Sequence, residues 1–117
     1  MFMTLTQVAL GGAIGAVLRY LTGLALAFPF GTFAVNIVGS FLIGVLWVAL
    51  ADRGPWAPLL ITGILGGFTT FSAFSLDALR LWEGGATVQA GTYIAASVIS
   101  SLIAVALGAA LARGAFA

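Results

Sequence analysis

The most informative absences from this 117-residue sequence are cysteine, histidine and lysine. Without cysteine the chain has no disulfide and no thiolate chemistry, and without histidine it has no imidazole ligand for a metal. Only 6% of the residues are charged, whereas an average soluble domain has roughly a quarter. A short chain with 62% hydrophobic residues therefore has too little charge to cover an apolar core with a polar surface.

Four apolar stretches occupy most of the chain, and each has about the length (~20 residues) of a helix that crosses a bilayer. They predict four transmembrane helices, at residues 5–27, 32–51, 57–82 and 87–112. The connections between them are too short for a second domain, so we expect one transmembrane domain over residues 1–117. The N-terminus has neither a basic region nor a clear cleavage site, and we expect the first helix to be retained.

The arginines leave the orientation in the membrane open. Four crossings put Arg53 and Arg113 on one side and Arg80 on the other, with Arg19 inside the first span. Orientation follows the asymmetry of lysine and arginine, and here that asymmetry is nearly absent. One interpretation is insertion in both orientations and an antiparallel dimer. The other is a weakly biased protein that further signals orient.

Glycines at helical spacing predict close packing between the spans. Gly11 and Gly15 in the first span, and Gly63 and Gly67 in the third, have the small-xxx-small spacing of packed membrane helices. Four short helices can barely enclose a polar path by themselves, so this packing favours an oligomer. The pattern is common in membrane proteins and indicates no particular function.

Uncharged polar side chains recur inside three of the spans. Asn36 lies about one turn into the second span. The fourth span places polar groups four residues apart along one face, at Tyr93, Ser97 and Ser101. The third span contributes Thr69, Thr70, Ser72 and Ser75. Taken singly, such groups usually form hydrogen bonds within or between helices. Together they give three helices a face rich in neutral donors.

We expect no acidic residue to be buried among these donors, because Asp52 and Glu83 lie in connections and Asp77 lies close to the end of the third span. Proton-coupled transporters use an intramembrane carboxylate, and cation pores often use acidic rings. Neutral donors favour an anion instead, because their hydrogens can replace its hydration shell. The positive edges of phenyl rings can also face an anion. Phe71 and Phe74 have suitable spacing, although such a pair is more often core packing.

The sequence GGFTTFSAFS at residues 66–75 predicts an interruption near the middle of the third span. Gly66 and Gly67 weaken a helix, and Thr69 and Thr70 can hydrogen-bond locally instead of supporting regular turns. Irregular backbone at membrane depth is tolerated only where protein buries it or where it lines a cavity. The freed carbonyls would form a small cation site. The alternative is a kink that only widens a pore.

These features together resemble the Fluc, or CrcB-type, fluoride channels along essentially the whole chain. The most specific parts are GGFTTFSAFS at 66–75 and GTFAVNIVGSF at 31–41, supported by GGAIGAVLRY at 11–20. The resemblance implies an all-α protein of the bacterial plasma membrane with a broken third helix, paired with a second copy as an antiparallel dual-topology homodimer. Family members often have FSTFS where this chain has FSAFS, so Ala73 lacks a hydroxyl while Ser72 and Ser75 remain.

The resemblance also implies roles for individual residues. The implied fluoride pathway consists of Asn36, Thr70, Phe71, Ser72, Phe74, Tyr93, Ser97 and Ser101, with Arg19 near the aqueous vestibule. In it, Asn36 donates its amide to the ion, and Phe71 and Phe74 present their ring edges. The carbonyls of Gly66 and Thr69 would hold a central structural sodium ion (Na+). Asp77 matches a position that is acidic in relatives.

The expected function is passive fluoride export that confers fluoride resistance, performed by a channel and not by an enzyme. Fluoride, the bilayer and a second copy are the expected partners, and nucleic acid is not. A small multidrug-resistance-type exporter is one alternative, but it needs a glutamate in the first span, where this chain has none. A non-transporting scaffold subunit is another, and it predicts no ion flux. An intramembrane hydrolase is disfavoured because no histidine or buried acid–base pair accompanies the serines.

Overall fold

The computed structural model describes residues 1–52 and 54–116, and regular structure in this part is entirely helical. The elements in chain order are α1 (Phe2–Ala25), α2 (Phe30–Ala49), a π-helical segment (Pro58–Leu65), α3 (Gly66–Phe68), α4 (Phe71–Glu83) and α5 (Thr87–Phe116). The all-α prediction is confirmed. Arg53, which enters the charge balance above, lies outside the described residues.

Four helical stretches are long and apolar enough to cross a membrane by their length and composition. They cover Phe2–Ala25, Phe30–Ala49, Pro58–Glu83 and Thr87–Ala115. The four predicted spans are confirmed, and their ends are displaced by at most three residues, as in Phe2 against residue 5. The third stretch comprises the π-helical segment, the single turn α3 and helix α4.

Helix α1 packs against the π-helical segment and α3 through glycines on both sides. A Cβ atom added to Gly11 would lie 2.6 Å from the Leu59 carbonyl oxygen, and one added to Gly67 would lie 2.5 Å from the Gly12 carbonyl oxygen. Real Cβ atoms do not come this close to backbone atoms, so only glycine permits the contact. The predicted role of Gly11, Gly63 and Gly67 in close packing is confirmed.

Helices α2 and α5 form a second pair with the same kind of contact. A Cβ atom on Gly44 of α2 would lie 2.9 Å from the Ala109 amide nitrogen, and Gly108 of α5 lies directly against the Phe41 backbone. Val35, which is 1% exposed, marks the buried side of α2. Gly39, one turn further along α2, lies against the methyl group of Thr69. Helix α2 therefore contacts both α5 and the end of α3.

Most of the large apolar side chains face outward. In the most apolar part of each span, only 11 to 22% of the residues are buried within the chain. Single exposed apolar residues are normal on soluble proteins, but continuous apolar faces of this size are not. Lipid or another protein must therefore cover these faces.

Candidate functional site

The helical path through the third apolar stretch stops at two threonines. Thr69 has φ −84° and ψ 157°, and Thr70 has φ −156° and ψ 122°, so both residues are extended. Helical geometry ends at Phe68 and resumes at Phe71. In a continuous α-helix each N–H donates to the carbonyl four residues earlier. Hydrogen-bond partners at this interruption must therefore come from elsewhere.

Asn36 of α2 supplies two of these partners. Its side-chain oxygen Oδ1 accepts a hydrogen bond from the Thr70 N–H at 2.8 Å, and its Nδ2 donates to the Thr70 carbonyl at 3.0 Å. One planar amide thus pairs with both backbone groups of an extended residue, as a neighbouring β-strand would. In a continuous helix the Thr70 N–H would donate to the Gly66 carbonyl, but here it donates to Asn36 instead.

Thr70 also starts the helix that follows. Its hydroxyl Oγ1 accepts from the Ala73 N–H at 3.1 Å and lies 3.4 Å from the Ser72 hydroxyl. A threonine that caps a helix in this way satisfies one of the N–H groups that have no partner in the first turn. The Ala73 N–H would otherwise donate to the Thr69 carbonyl. The interruption therefore frees the carbonyls of Gly66 and Thr69 from their helical donors, and the carbonyls of Gly67 and Phe68 between them lose theirs as well.

Arg19 binds the same region from α1. Its Nε donates to the Gly67 carbonyl at 3.1 Å, and the side chain is half-buried. A cation is favourable at a helix C-terminus, where unpaired carbonyls give a partial negative charge. Arg19 therefore stabilises the end of α3.

An open cavity of about 430 Å³ lies beside the interruption. It is lined by Asn36, Ser40, Gly66, Thr69, Thr70, Phe71, Phe74, Ser97, Val98 and Ser101. The structure thus brings together most of the residues nominated from the sequence, from α2, α3, α4 and α5. None of the lining side chains is charged. Sequence reasoning missed Ser40, although it lies four residues after Asn36 and so on the same helix face.

Ser97 is the most unusual member of this lining. The residue is 5% exposed, and its hydroxyl has no hydrogen-bond partner among the described residues. Buried polar groups in proteins are nearly always hydrogen-bonded, because an unmet donor costs about 1–3 kcal/mol. A hydroxyl left in this state beside a cavity is available to a ligand.

Three nominated residues lie outside the lining of this cavity. The Ser72 hydroxyl lies 3.4 Å from the hydroxyl of Thr70, which does line the cavity. Arg19 donates to the carbonyl of Gly67. Tyr93 lines a second cavity, of about 470 Å³, at the other end of an aromatic row. In this row, ring centroids are 5.4 Å apart for Phe71 and Phe74, and 5.3 Å apart for Phe74 and Tyr93. The rings of Phe71 and Phe74 therefore contact each other, and the row continues to Tyr93.

Asp77 corrects one expectation. The carboxyl group is buried in α4, with the residue 7% exposed, and it accepts a hydrogen bond from the Tyr93 hydroxyl at 3.2 Å. The expectation that no acidic residue is buried among the polar groups was wrong. Asp77 lies six residues before the end of the third stretch at Glu83, about where the sequence placed it, but its carboxyl group is held against Tyr93 of α5. Asp77 does not line the cavity beside the interruption.

A metal at this site would depend on backbone oxygens. No group of three or more histidine, cysteine, aspartate or glutamate residues occurs in the described ranges, 1–52 and 54–116. The carbonyls of Gly66 and Thr69 have lost their helical donors, and both residues line the cavity. Carbonyls of unwound membrane helices are known ligands of sodium ions. The donor set therefore fits a small monovalent cation.

Comparison with known proteins gives consistent matches. The family model described as "CrcB-like protein, Camphor Resistance (CrcB)" matches residues 6–109. A protein of Cereibacter sphaeroides (strain ATCC 17029 / ATH 2.4.9), named fluoride-specific ion channel FluC, is 54% identical over 97% of this chain and 98% of its own length. A protein of the same name in Rhizobium etli (strain CIAT 652) is 56% identical over 91% of this chain and 93% of its own length. Another, in Paracoccus denitrificans (strain Pd 1222), is 51% identical over 97% of this chain and 98% of its own length.

Proposed function

This chain belongs to the family of CrcB-like proteins, and from that membership we propose that it is a fluoride-selective channel through which fluoride leaves the cytoplasm passively. The family match confirms a channel in place of an enzyme. Four apolar helices and bacterial relatives likewise confirm a multi-pass integral protein of the bacterial plasma membrane. The ion, its direction and the resulting fluoride resistance are the proposal.

The chemistry of the cavity beside the interruption carries this proposal. Its lining combines hydroxyl and amide donors with two phenyl rings and contains no charged side chain. A small anion that loses its hydration shell needs hydrogen-bond donors in its place. The buried Ser97 hydroxyl can donate, because it has no other partner among the described residues. The Asn36 amide keeps one N–H that its bond to Thr70 does not use. Ring edges of Phe71 and Phe74 add weak positive charge.

A second copy in the opposite orientation would complete the pathway. The cavity is open, and Phe71 in its lining is 77% exposed. Contacts within one chain therefore leave the Phe71 ring and the polar cavity uncovered, and one partner could cover both. The nearly balanced arginines support an antiparallel arrangement, because they give little preference for one orientation. In this arrangement the interruptions of both copies lie near the middle of the bilayer and meet at the two-fold axis.

The Gly66 and Thr69 carbonyls of both copies would then hold one sodium ion. Support comes from the hydrogen bonds that remove the helical donors of these two carbonyls. Gly66 and Thr69 would supply neutral oxygens that replace water around the ion. When bound, sodium would supply positive charge that holds the two interruptions together.

The proposed transport needs no second energy source. Hydrogen fluoride enters a cell from acidic surroundings and dissociates, and the resulting anion cannot return through lipid. The membrane potential, negative inside, favours exit of the anion by ~2.3 kcal/mol for each 100 mV. A selective pore is therefore sufficient for export.

Ion efflux from liposomes that contain only the purified protein tests the proposal. We expect fluoride efflux and negligible chloride efflux when a potential is imposed. A scaffold subunit would give neither, and a multidrug exporter would respond to organic cations. Absence of fluoride efflux from correctly folded protein would contradict the proposed function.

A further inference from the structure

The backbone carbonyls at the interruption differ in whether a donor binds them. In a continuous helix, the carbonyls of Gly66 and Thr69 would accept from the N–H groups of Thr70 and Ala73. The first of these N–H groups instead donates to Asn36, and the second donates to the Thr70 hydroxyl. The carbonyl of Gly67 is different, because Arg19 binds it. The N–H groups that would otherwise bind the Gly66 and Thr69 carbonyls are therefore held away from them by particular side-chain hydrogen bonds.

We propose that Asn36 is a positioning residue for the backbone cation site as well as a donor in the anion cavity. This inference rests on the proposed function. Asn36 keeps the Thr70 N–H away from the Gly66 carbonyl through Oδ1, and it holds the Thr70 carbonyl through Nδ2. A single side chain thereby fixes the peptide units on both sides of the Thr70 Cα atom. The anion cavity and the cation site share this residue.

Packing of α2 supports the same conclusion independently. Gly39 lies one turn beyond Asn36, and its missing side chain leaves the space that the Thr69 methyl group occupies. Helix α2 thus holds Thr70 by hydrogen bonds and Thr69 by close packing. It therefore contributes to holding both extended residues, together with the hydrogen bonds that Thr69 donates to the Leu65 carbonyl within the third stretch.

The two bonds require different properties of the side chain at position 36. An amide both accepts and donates, a carboxylate only accepts, and a methyl group does neither. Asn36→Asp therefore keeps the acceptor that holds the Thr70 N–H and leaves the Gly66 carbonyl free. Asn36→Ala removes that acceptor, and the Thr70 N–H can return to the Gly66 carbonyl. The two variants separate positioning of the cation site from donation to the anion.

Sodium titration of thermal stability distinguishes these roles. Purified protein is melted in N-methylglucamine chloride with increasing sodium chloride, since a ligand of the folded state raises the melting temperature. We expect Asn36→Ala to raise the half-saturating sodium concentration about tenfold, the equivalent of ~1.4 kcal/mol or one lost interaction. Asn36→Asp keeps the bond to the Thr70 N–H but loses the bond to the Thr70 carbonyl, so it should weaken the sodium response less than Asn36→Ala does, and it should lose fluoride efflux. Ser100→Ala, which removes a hydroxyl outside the cavity lining, should keep the sodium response.

The outcomes are separable. A wild-type sodium response in Asn36→Ala would overturn the positioning role. No sodium response in the wild-type protein would overturn the cation site and this inference with it. Missing fluoride efflux in the wild-type protein would overturn the proposed transport and leave the titration interpretable. If Asn36→Ala does not fold, Asn36→Ser replaces it, because its hydroxyl stays in the cavity but is too short to reach Thr70.

Discussion

Removal of the Ser97 hydroxyl should change stability and transport in opposite directions. The hydroxyl is buried and has no partner in the part of the chain that the structure describes. An unmet buried donor costs about 1–3 kcal/mol, so Ser97→Ala should leave folding stability unchanged or raise it by about 1 kcal/mol. The smaller side chain fits the same space without a clash.

The expected loss of transport follows from the charge of the ion. A hydrogen bond to a charged group contributes about 1.5–3 kcal/mol, and each ~1.4 kcal/mol is a factor of ten. Fluoride efflux through Ser97→Ala should therefore fall about ten- to a hundredfold. A fluoride electrode measures the efflux from liposomes, and thermal denaturation in detergent measures stability.

Ser100→Ala is the matched control. It removes a hydroxyl from the same helix, three residues away, and Ser100 does not line the cavity. We expect normal efflux from this variant. Normal efflux from Ser97→Ala would refute the reasoning. So would a loss of stability in Ser97→Ala as large as its loss of efflux, because that result would make the hydroxyl structural.

Three further predictions concern packing, the buried carboxyl and topology. Gly15→Ala should destabilise the protein by about 1–3 kcal/mol in thermal denaturation, because its Cβ atom would lie 2.7 Å from the Phe68 amide nitrogen. Gly12→Ala is the control and should be near neutral, because its Cβ atom would meet nothing within 4 Å. Tyr93→Phe removes the donor to Asp77 and should cost about 1–3 kcal/mol in the same assay, and more than a change of Asp77 to asparagine, which still accepts. Lysines appended to the C-terminus should bias insertion and reduce fluoride resistance, and co-expression with an oppositely biased form should restore it; resistance that stays low in the pair would contradict the antiparallel arrangement.

The buried Asp77 also bears on the rival exporter. An intramembrane carboxylate usually marks a proton relay or an ion path, and the sequence alone placed Asp77 near the end of its span. In the structure this carboxyl contacts Tyr93 and lies apart from the cavity beside the interruption. The exporter needs its carboxylate in the first span, and α1 has none. The correction therefore leaves the proposed function in place.

The amino-acid sequence by itself determined the four helices, because apolar runs of this length have no other stable form in a bilayer. It also determined that the spans pack closely, since glycines four residues apart in the first and third spans leave room for another backbone. The neutral character of the site was equally readable, because Asn36, Ser97 and Ser101 are uncharged wherever they face.

Only the tertiary structure decided which of these groups meet. Helical periodicity assigns a residue to a face but does not say which neighbouring helix that face contacts, so Ser40 was missed and so was the burial of Asp77 against Tyr93. Two extended residues also shift the phase between α3 and α4, and no spacing rule crosses them. The pairing of Asn36 with the Thr70 backbone depends on the position of α2 beside the interruption. A hydrogen bond between residues 34 positions apart forms because packing brings the helices together, and no local pattern encodes it.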